Sequence, residues 1–247
     1  MKRPNKKAPP PSSEVRLNRF IANAGVCSRR EADRLIGDGQ IKVNGKVVRE
    51  MGFKVQKTDT VEYKGRKLKS QTHQYVLLNK PRGFITTTKD PQERKTVMSL
   101  VEKACVERIY PVGRLDRETS GLLLFTNDGE TAKKLTHPSH KVRKIYQVEL
   151  NKPVTKGDFE KILSGVELED GIAPVNELAV IGEDDHILGI EIHIGRNRIV
   201  RRIFESLGYE VKKLDRVMFG SLTKKNLPRG KFRHLNPKEI MAIRGVK

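Results

Sequence analysis

The stretch Gly113–Glu130, GRLDRETSGLLLFTNDGE, determines how the second part of the chain folds. Its apolar run Leu122–Thr126 shows no alternation of apolar and polar residues, which is typical of a strand buried on both faces. The turn Asn127–Gly129 that follows can cap a helix, which the pattern predicts over Thr131–Thr136. The stretch therefore predicts a loop, a central strand and a helix in succession.

The loop in front of this strand is a candidate catalytic site. Gly113 and Gly121 bracket it, and it holds one aspartate, Asp116, between Arg114 and Arg117. Loops between rigid strands commonly display catalytic groups. Cationic neighbours favour the ionised form of a carboxyl group, which suits a nucleophile or a base better than a general acid. From the spacing alone, a surface turn with ordinary ion pairs is the simpler alternative.

Further strands and helices surround this stretch. Buried or alternating apolar residues predict three strands, at Tyr75–Asn79, Lys144–Leu150 and Ile190–Ile194. Helical patterns cover Lys156–Ser164 and Ile199–Leu207. Together these elements predict an α+β domain over residues 73–247 with a mixed, mostly antiparallel sheet.

An arginine-rich turn, Gly195–Arg202, opens the last of these helices. The predicted core face of the helix consists of Val200, Ile203, Phe204 and Leu207. The predicted opposite face consists of Arg198, Arg201, Arg202 and Glu205. Arginines that converge at a helix start can bind RNA phosphates or pair with a buried carboxylate, although a solvated charged face is the simpler alternative.

The first part of the chain predicts a separate small module over residues 15–69. Two short helices come first, one closed by Gly25 and the next capped by Ser28. A hairpin around Asn44-Gly45 and an extended segment at Thr60–Tyr63 follow. The order of helix, helix and hairpin predicts a compact unit that is small for independent stability.

Two polar segments flank this module. Residues 1–14 are rich in Lys, Pro and Ser and predict a disordered basic arm. The basic segment Lys64–Thr72 predicts a boundary between the module and the α+β domain.

The second helix of the module begins with Arg29 and Arg30, although the helix dipole favours acidic residues there by about 0.3–1 kcal/mol. An exposed site can tolerate such a mild penalty, so the two arginines need not have a function. If the pair is functional, it forms a phosphate-binding face with Lys42 and Lys46 of the hairpin. We include Asn44 of the hairpin turn among the candidate RNA contacts.

The composition indicates a polyanionic partner. The chain has 247 residues with 50 Lys+Arg and 30 Asp+Glu, a formal net charge of +20, which attracts nucleic acid. No apolar run approaches the roughly 20 residues of a membrane span, and the basic start lacks an apolar signal core. The separated Cys27 and Cys105 predict no disulfide framework and fit a reducing compartment. We expect a cytoplasmic monomer with no membrane partner.

Four stretches resemble the motifs of one enzyme family, the RsuA/RluB-type pseudouridine synthases, and they occur in the family's order. They are YVLLNKPRG at residues 75–83, GRLDRETSGLLLFTNDGE at 113–130, KIYQVEL at 144–150 and GRNRIVRRIFESLGYEVKKLDRVMFGSL at 195–222. Ahead of them, residues 16–45, RLNRFIANAGVCSRREADRLIGDGQIKVNG, are similar to the S4 RNA-binding domain. The resemblance covers almost the whole chain after residue 14.

The resemblance implies a role for each candidate residue of the α+β domain. Asp116 is the catalytic residue, and Arg201 is the arginine paired with it. Tyr146 stacks on the uracil of a flipped-out uridine. The remaining arginines, Arg114, Arg196 and Arg198, contact phosphate or sugar. The reaction is an isomerisation, so the resemblance implies neither a cofactor nor a metal.

Several alternatives stay open at this point. The wording of the motifs favours ribosomal RNA of the large subunit as substrate, with the small-subunit RNA as the alternative. Free RNA and a ribosomal particle are both possible forms of that substrate. Asp116 could act as a nucleophile or as a base. A catalytically inactive RNA-binding scaffold for ribosome assembly is the competing class, and a DNA-binding regulator is the weakest candidate.

Overall fold

The computed structural model describes residues 14–183 and 185–246. The predicted basic arm, residues 1–14, therefore lies outside the described residues except for Glu14. The chain divides into two compact units, one ending at Thr72 and the other beginning at His73. Within the described ranges, no helix has the length and apolar character needed to cross a membrane.

The first unit pairs short helices with short strands. In chain order its elements are β1 (Val15–Arg16), α1 (Leu17–Asn23), α2 (Arg29–Gly37), β2 (Ile41–Val43), β3 (Lys46–Val47), β4 (Lys54–Val55), β5 (Val61–Tyr63) and β6 (Arg66–Lys67). β1 pairs with β4, and β3, β2, β5 and β6 form a four-stranded sheet in that order. The two predicted helices and the hairpin are confirmed, whereas β6 lies in a segment predicted to be only a linker.

Local sequence signals explain the turns of this unit. The Ser28 side chain accepts a hydrogen bond from the Glu31 amide at 3.2 Å and so caps α2. Asn44 and Gly45 have φ values of 50° and 79°, the left-handed geometry that a two-residue hairpin turn requires. The core of the unit consists of Leu17, Ile21, Ala32, Ile36, Ile41, Val43, Val55 and Val61.

The second unit is built on one large sheet. Its strands are β7 (Tyr75–Lys80), β8 (Tyr110–Pro111), β9 (Thr119–Thr126), β10 (Lys144–Leu150), β11 (Glu177–Val180), β12 (Ile187–Ile192), β13 (Val211–Phe219), β14 (Leu222–Thr223) and β15 (Phe232–His234). Its helices are α3 (Met98–Val101), α4 (Gly129–Thr136), α5 (Lys156–Ser164), α6 (Ile199–Glu205) and α7 (Pro237–Arg244), with a 3-10 turn at Pro138–His140.

The sheet of the second unit is mixed and mostly antiparallel, as predicted. Its main path runs β11-β12-β10-β13-β9-β7-β15, with β14 beside β13 and β8 beside β9. The described parallel pair joins β13 to β9, and the neighbouring pairs are antiparallel. The two halves of the sheet therefore meet between β9 and β13.

Strand β9 is buried on both faces, as its apolar run predicts. Leu123 and Phe125 pack into one hydrophobic cluster, whereas Leu122 and Leu124 pack into another. Full burial of a leucine contributes about 1.5–3 kcal/mol, so this strand anchors the unit. Gly121, with φ of 110°, lies so close to β13 that an added Cβ would come within 2.3 Å of the Arg216 carbonyl oxygen.

Several element boundaries differ from the prediction. The strand around Ile190 spans Ile187–Ile192 rather than Ile190–Ile194, because the chain is already irregular over residues 193–196, which lead into the arginine-rich turn. Helix α6 ends at Glu205, two residues before the predicted end. β10 and α5 have the predicted bounds, since clear alternation and the Thr155 cap define them.

Candidate active site

Five of the six site residues predicted in the second unit line one cavity. The cavity has a volume of about 260 Å³. The predicted residues on its wall are Arg114, Asp116, Tyr146, Arg196 and Arg198. They come from the loop before β9, from β10 and from the loop before α6. The fold therefore brings together three motifs that are separated by as many as 84 positions in the sequence.

A buried lysine binds the backbone of the Asp116 loop. Lys80 ends β7 and is 0% exposed. Its Nζ donates to the carbonyl oxygens of Thr119 at 2.7 Å, Asp116 at 3.1 Å and Arg117 at 3.3 Å. A further bond reaches the Pro81 carbonyl at 3.1 Å. One ammonium group thus fixes the backbone of the loop from Asp116, the candidate catalytic residue, to Thr119.

Burial also sets the charge state of this lysine. Burial lowers the pKa of Lys80 to about 8, against the opposing effect of the carboxylates of Glu118 and Asp116. Sequence reasoning assigned Lys80 no role in the chemistry. The signal that could have identified its role is its place directly after a fully buried strand, where a lysine is rare without partners.

Tyr146 lies in the middle of the sheet. It is on β10, with Arg216 of β13 as its partner on one side and Ile190 of β12 on the other. Its side chain is largely buried, at 8% exposure, yet it contributes to the cavity wall. An aromatic ring at this position can form one wall of a site for a planar base.

Arg201 does not occupy the predicted outer face of α6. It is 7% exposed, and its guanidinium donates to the carbonyls of Val211 at 2.9 Å and Glu118 at 3.4 Å. Its Nε is buried without a hydrogen-bond partner. The prediction was wrong because β13 and the Asp116 loop cover this side of the short helix.

The expected direct pairing of Arg201 with Asp116 is also absent. Among the described residues no ion pair within 4.0 Å joins the two side chains. Burial lowers the pKa of Arg201, Arg198 lowers it further, and the carboxylate of Asp116 acts in the opposite direction. Arg201 thus influences the loop through the Glu118 carbonyl and through longer-range charge.

The other pocket arginines differ in how firmly they are held. Arg196 donates to the Gly171 carbonyl at 2.7 Å, whereas Arg114 is exposed. Arg198 adopts a left-handed backbone, with φ of 45° and ψ of 30°, directly before α6. For a non-glycine residue this conformation costs roughly 1–2 kcal/mol, and such strain is concentrated at functional sites.

Two further cations line the cavity that sequence reasoning missed, Lys144 and Arg216. Both lie on the sheet, on β10 and β13, and Arg216 is 3% exposed. The sequence does contain a signal for the burial of Arg216. It is the one charged residue directly before the apolar end of β13, residues 217–219.

A second cavity has the loop residue Arg117 on its wall. It has a volume of about 340 Å³. Its walls are formed by Arg82, Gly83, Phe84, Arg94, Lys95 and Arg117. Four of these six residues carry positive charge, which gives the surface beside the Asp116 loop a cationic character.

The four candidate RNA contacts of the first unit are exposed, but they differ in their hydrogen bonds. Arg29, Arg30 and Lys42 lie on its surface. Asn44 is different, because its side chain donates to Asp59 at 2.8 Å and accepts from the Thr60 amide at 2.9 Å. These bonds give Asn44 a structural role in holding the hairpin turn. In neither unit do the described residues form a cluster of three or more metal-ligating side chains.

Comparison with known proteins places this geometry in a family. The model of the S4 domain matches residues 15–61, and the model of the RNA pseudouridylate synthase family matches residues 74–206. The fold and the pocket thus define an RNA-modifying enzyme with an S4 domain.

Individual relatives agree with this class. A ribosomal large subunit pseudouridine synthase B of Bacillus subtilis (strain 168) is 43% identical, over 94% of this chain and 96% of that protein. An uncharacterized RNA pseudouridine synthase of Aquifex aeolicus (strain VF5) is 41% identical, over 93% of this chain and 94% of that protein. A crystal structure of a pseudouridylate synthase superposes with a TM-score of 0.66 at 28% identity, covering 93% of this chain and 99% of that one. The chain belongs to the RNA pseudouridylate synthase family.

Proposed function

We propose that this pseudouridine synthase isomerises uridine in the RNA of the large ribosomal subunit, with Asp116 as its catalytic residue. The observation that carries the proposal is the meeting of Asp116, Tyr146 and three arginines around one cavity. A volume of about 260 Å³ lies just below the roughly 300–1,000 Å³ of pockets for drug-sized ligands, so the cavity has room for a single base but not for a stacked strand. The substrate uridine must therefore leave its stack to enter.

Each pocket residue has a role in this proposal. Asp116 attacks the sugar or the uracil, or it removes a sugar proton. Tyr146 stacks on the uracil, and Arg114, Arg196 and Arg198 bind the phosphate and sugar next to it. Lys80 and Arg201 are positioning residues, because they bind the backbone of the Asp116 loop.

The choice of RNA rests on charge and on relatives. The exposed cations of the first unit and the four cations of the second cavity favour a long polyanion over a free nucleoside. The name of the Bacillus subtilis relative favours the large-subunit RNA. We also propose that the enzyme acts as a monomer.

Tritium release tests the proposal. Ribosomal RNA labelled with tritium at uracil C5 is incubated with the wild type and with Asp116→Asn. Because C5 becomes the glycosidic carbon, each isomerisation must release its tritium. We expect release by the wild type from large-subunit RNA and none by the variant, with RNA binding retained.

Three other results would overturn parts of the proposal. Tritium release from small-subunit RNA alone would show that the substrate is the small-subunit RNA and not the large-subunit RNA. Release by Asp116→Asn at the wild-type rate would remove the catalytic assignment. No release from either RNA, free or in ribosomal particles, would favour the scaffold.

A further inference from the structure

A half-buried lysine and a buried arginine face the candidate uridine pocket from neighbouring strands. Lys144 of β10 and Arg216 of β13 line the same cavity as Asp116 and Tyr146. Tyr146 lies two residues after Lys144 on its strand and directly opposite Arg216 in the sheet. Side chains two apart on a strand share a face, so the lysine, the tyrosine ring and the arginine form one surface.

Arg216 is held in place but not fully satisfied. Its Nε donates to the Leu122 carbonyl at 2.8 Å, and its guanidinium lies 4.7 Å from the centre of the Phe219 ring. Its Nη2, by contrast, is buried and has no hydrogen-bond partner. A buried donor without a partner is costly, so this nitrogen is available to donate to an acceptor atom of a bound substrate.

Lys144 has donor capacity to spare as well. Its Nζ donates to the carbonyls of His193 at 2.7 Å and Val142 at 3.2 Å, which uses two of its three N–H groups. Within the described residues, no carboxylate forms an ion pair with Lys144 or Arg216. Buried charges normally have an opposite charge beside them, and here the protein supplies none.

The proposed reaction creates an anion that fits this surface. When the N1–C1′ bond breaks, its electron pair passes to the uracil ring, and O2 and O4 share the negative charge. The C5–C1′ bond then forms, the C5 proton leaves to solvent and N1 takes up a proton. Addition of Asp116 to the uracil ring would also place negative charge on O4. Every route left open for Asp116 therefore makes the uracil anionic.

We propose that Lys144 and Arg216 bind the carbonyl oxygens of the uracil and stabilise the uracil anion while it turns. This inference rests on the proposed function of the pocket. It identifies the side chains that hold the uracil after it has separated from the sugar. Fixed cations in a dry pocket stabilise developing charge without reorganising, which is the largest single contribution in many enzymes.

The symmetry of uracil makes one pair of cations sufficient for both positions of the base. A half turn about the line through N3 and C6 exchanges N1 with C5 and, at the same time, O2 with O4. A donor that binds one carbonyl oxygen before the turn therefore meets the other oxygen after it. The same two cations can hold the uracil at the start and at the end of the rotation.

The charge of Lys144 is titratable near neutral pH. Burial lowers the pKa of Lys144 to about 8, and the charge of Arg216 lowers it in the same direction. The other charged groups on the pocket wall are Arg114 and Asp116 from the loop before β9, and Arg196 and Arg198 from the loop before α6. Above about pH 8 the cation on β10 is lost, whereas Arg216 keeps its charge.

The test compares Lys144→Met with Lys144→Arg in the full chain. Single-turnover tritium release is measured with C5-labelled large-subunit RNA at saturating enzyme. We expect Lys144→Met to slow release about 100-fold, the usual effect of one lost electrostatic contact to the reacting group. RNA affinity should stay unchanged, and Lys144→Arg should restore most of the rate. Lys213→Met on β13 is the matched control, because it removes an exposed lysine outside the cavity.

The pH profile separates charge from structure. The wild-type rate should fall as pH rises through about 8, where both Lys144 and Lys80 lose their charge. The fall should be smaller in Lys144→Arg, in which Lys80 alone of these two groups still titrates in that range. Equal wild-type and Lys144→Met rates would overturn the inference and leave the proposed function intact. A Lys144→Met variant that is slow but keeps the pH profile of the wild type would also overturn the inference, because that result indicates a structural role for Lys144. Absence of release from every RNA in the wild type would instead remove the proposed function.

A variant of Arg216 tests the inference independently of Lys144. Arg216→Lys retains the charge but cannot both bind the Leu122 carbonyl and reach the base. We expect slowed release with unchanged RNA affinity, and combining it with Lys144→Met should cost more than either change alone. A wild-type rate in Arg216→Lys would exclude Arg216 from the site.

Discussion

The two units of the chain differ in where they keep their charges. In the described part of the first unit, no polar or charged residue is fully buried, and its arginines and lysines face solvent or are half-exposed. The second unit buries Lys80, Asp128, Glu191, Arg201 and Arg216. Exposed cations attract a polyanion over distance and are screened by salt, whereas buried charges position groups and stabilise transition states. The difference supports the proposal that the first unit docks the RNA and that the second unit carries out the chemistry.

If the buried charges of the second unit depend on close packing of its strands, Gly121→Ala should break the arrangement. The new Cβ would lie 2.3 Å from the Arg216 carbonyl oxygen and 2.4 Å from its nitrogen, at a φ of 110°. Backbone atoms cannot yield cheaply, so we expect a loss of about 3 kcal/mol or more in the free energy of unfolding. Chemical denaturation of the full chain measures it.

Gly208→Ala is the control for this change. Gly208 also has a positive φ, 78°, but an added Cβ would meet no atom within 4 Å. Its cost should stay near 1 kcal/mol, the strain of the left-handed backbone alone. Equal losses in the two variants would contradict the importance of the β9–β13 contact.

Removing the buried ammonium group of Lys80, which binds the Asp116 loop, should have the next largest effect on stability. Lys80→Met keeps the apolar stem but leaves the carbonyls of Asp116 and Thr119 without their donor. We expect a loss of about 2–3 kcal/mol in the free energy of unfolding, together with slower tritium release at saturating enzyme. Lys80→Met with wild-type stability and rate would show that the loop keeps its position without the lysine.

The buried Asp128 predicts a pH dependence of stability. It accepts hydrogen bonds from the Tyr75 hydroxyl at 2.7 Å and the Thr131 hydroxyl at 2.6 Å. These bonds outweigh burial and lower the pKa of Asp128 from 3.8 to about 2. The stabilisation is therefore complete above about pH 4 and lost as pH falls towards 2.

Asp128→Asn measures this contribution. At pH 7 the variant should be less stable by about 1 kcal/mol, because its amide replaces charged hydrogen bonds with neutral ones. The gap between the wild type and the variant should close as pH falls through the range of the Asp128 pKa. A gap that is constant down to pH 2 would contradict the ionised state of the buried carboxylate.

The exposed pair of the first unit should affect stability least. Arg29→Ala with Arg30→Ala should change the free energy of unfolding by no more than about 0.5 kcal/mol. Binding to large-subunit RNA should weaken, and the slope of log affinity against log salt should fall by about 1–2. The control, Lys225→Ala with Lys238→Ala, removes the same charge from exposed positions of the second unit. Equal salt slopes in both double variants would remove the specific role of α2.

Much of the fold follows from local pattern. Alternation along Lys144–Leu150 predicted the bounds of β10, and the helical pattern over Lys156–Ser164 predicted those of α5, because both signals act over a few residues. The loop with Asp116 was predicted from its place between two strands. Its convergence with Tyr146 and the pocket arginines followed from the family resemblance, since contacts between distant residues leave no local signal.

The burial of charges could not be predicted in the same way. Arg201 was placed on the outer face of α6, because a helical pattern cannot reveal that a later strand covers a second face of a short helix. Lys80, Lys144 and Arg216 were missed because their burial depends on the pairing of β7, β10 and β13 with strands far away in the sequence. These are also the residues that set the electrostatics of the pocket.

One side-by-side measurement tests the division between docking and chemistry most directly. Single-turnover tritium release from C5-labelled large-subunit RNA is compared for Asp116→Asn and for Arg29→Ala with Arg30→Ala, each at an enzyme concentration that saturates its RNA binding. We predict the wild-type rate for the double variant and no release for Asp116→Asn, although both bind the RNA. Release by Asp116→Asn, or a slow double variant at saturation, would contradict the account.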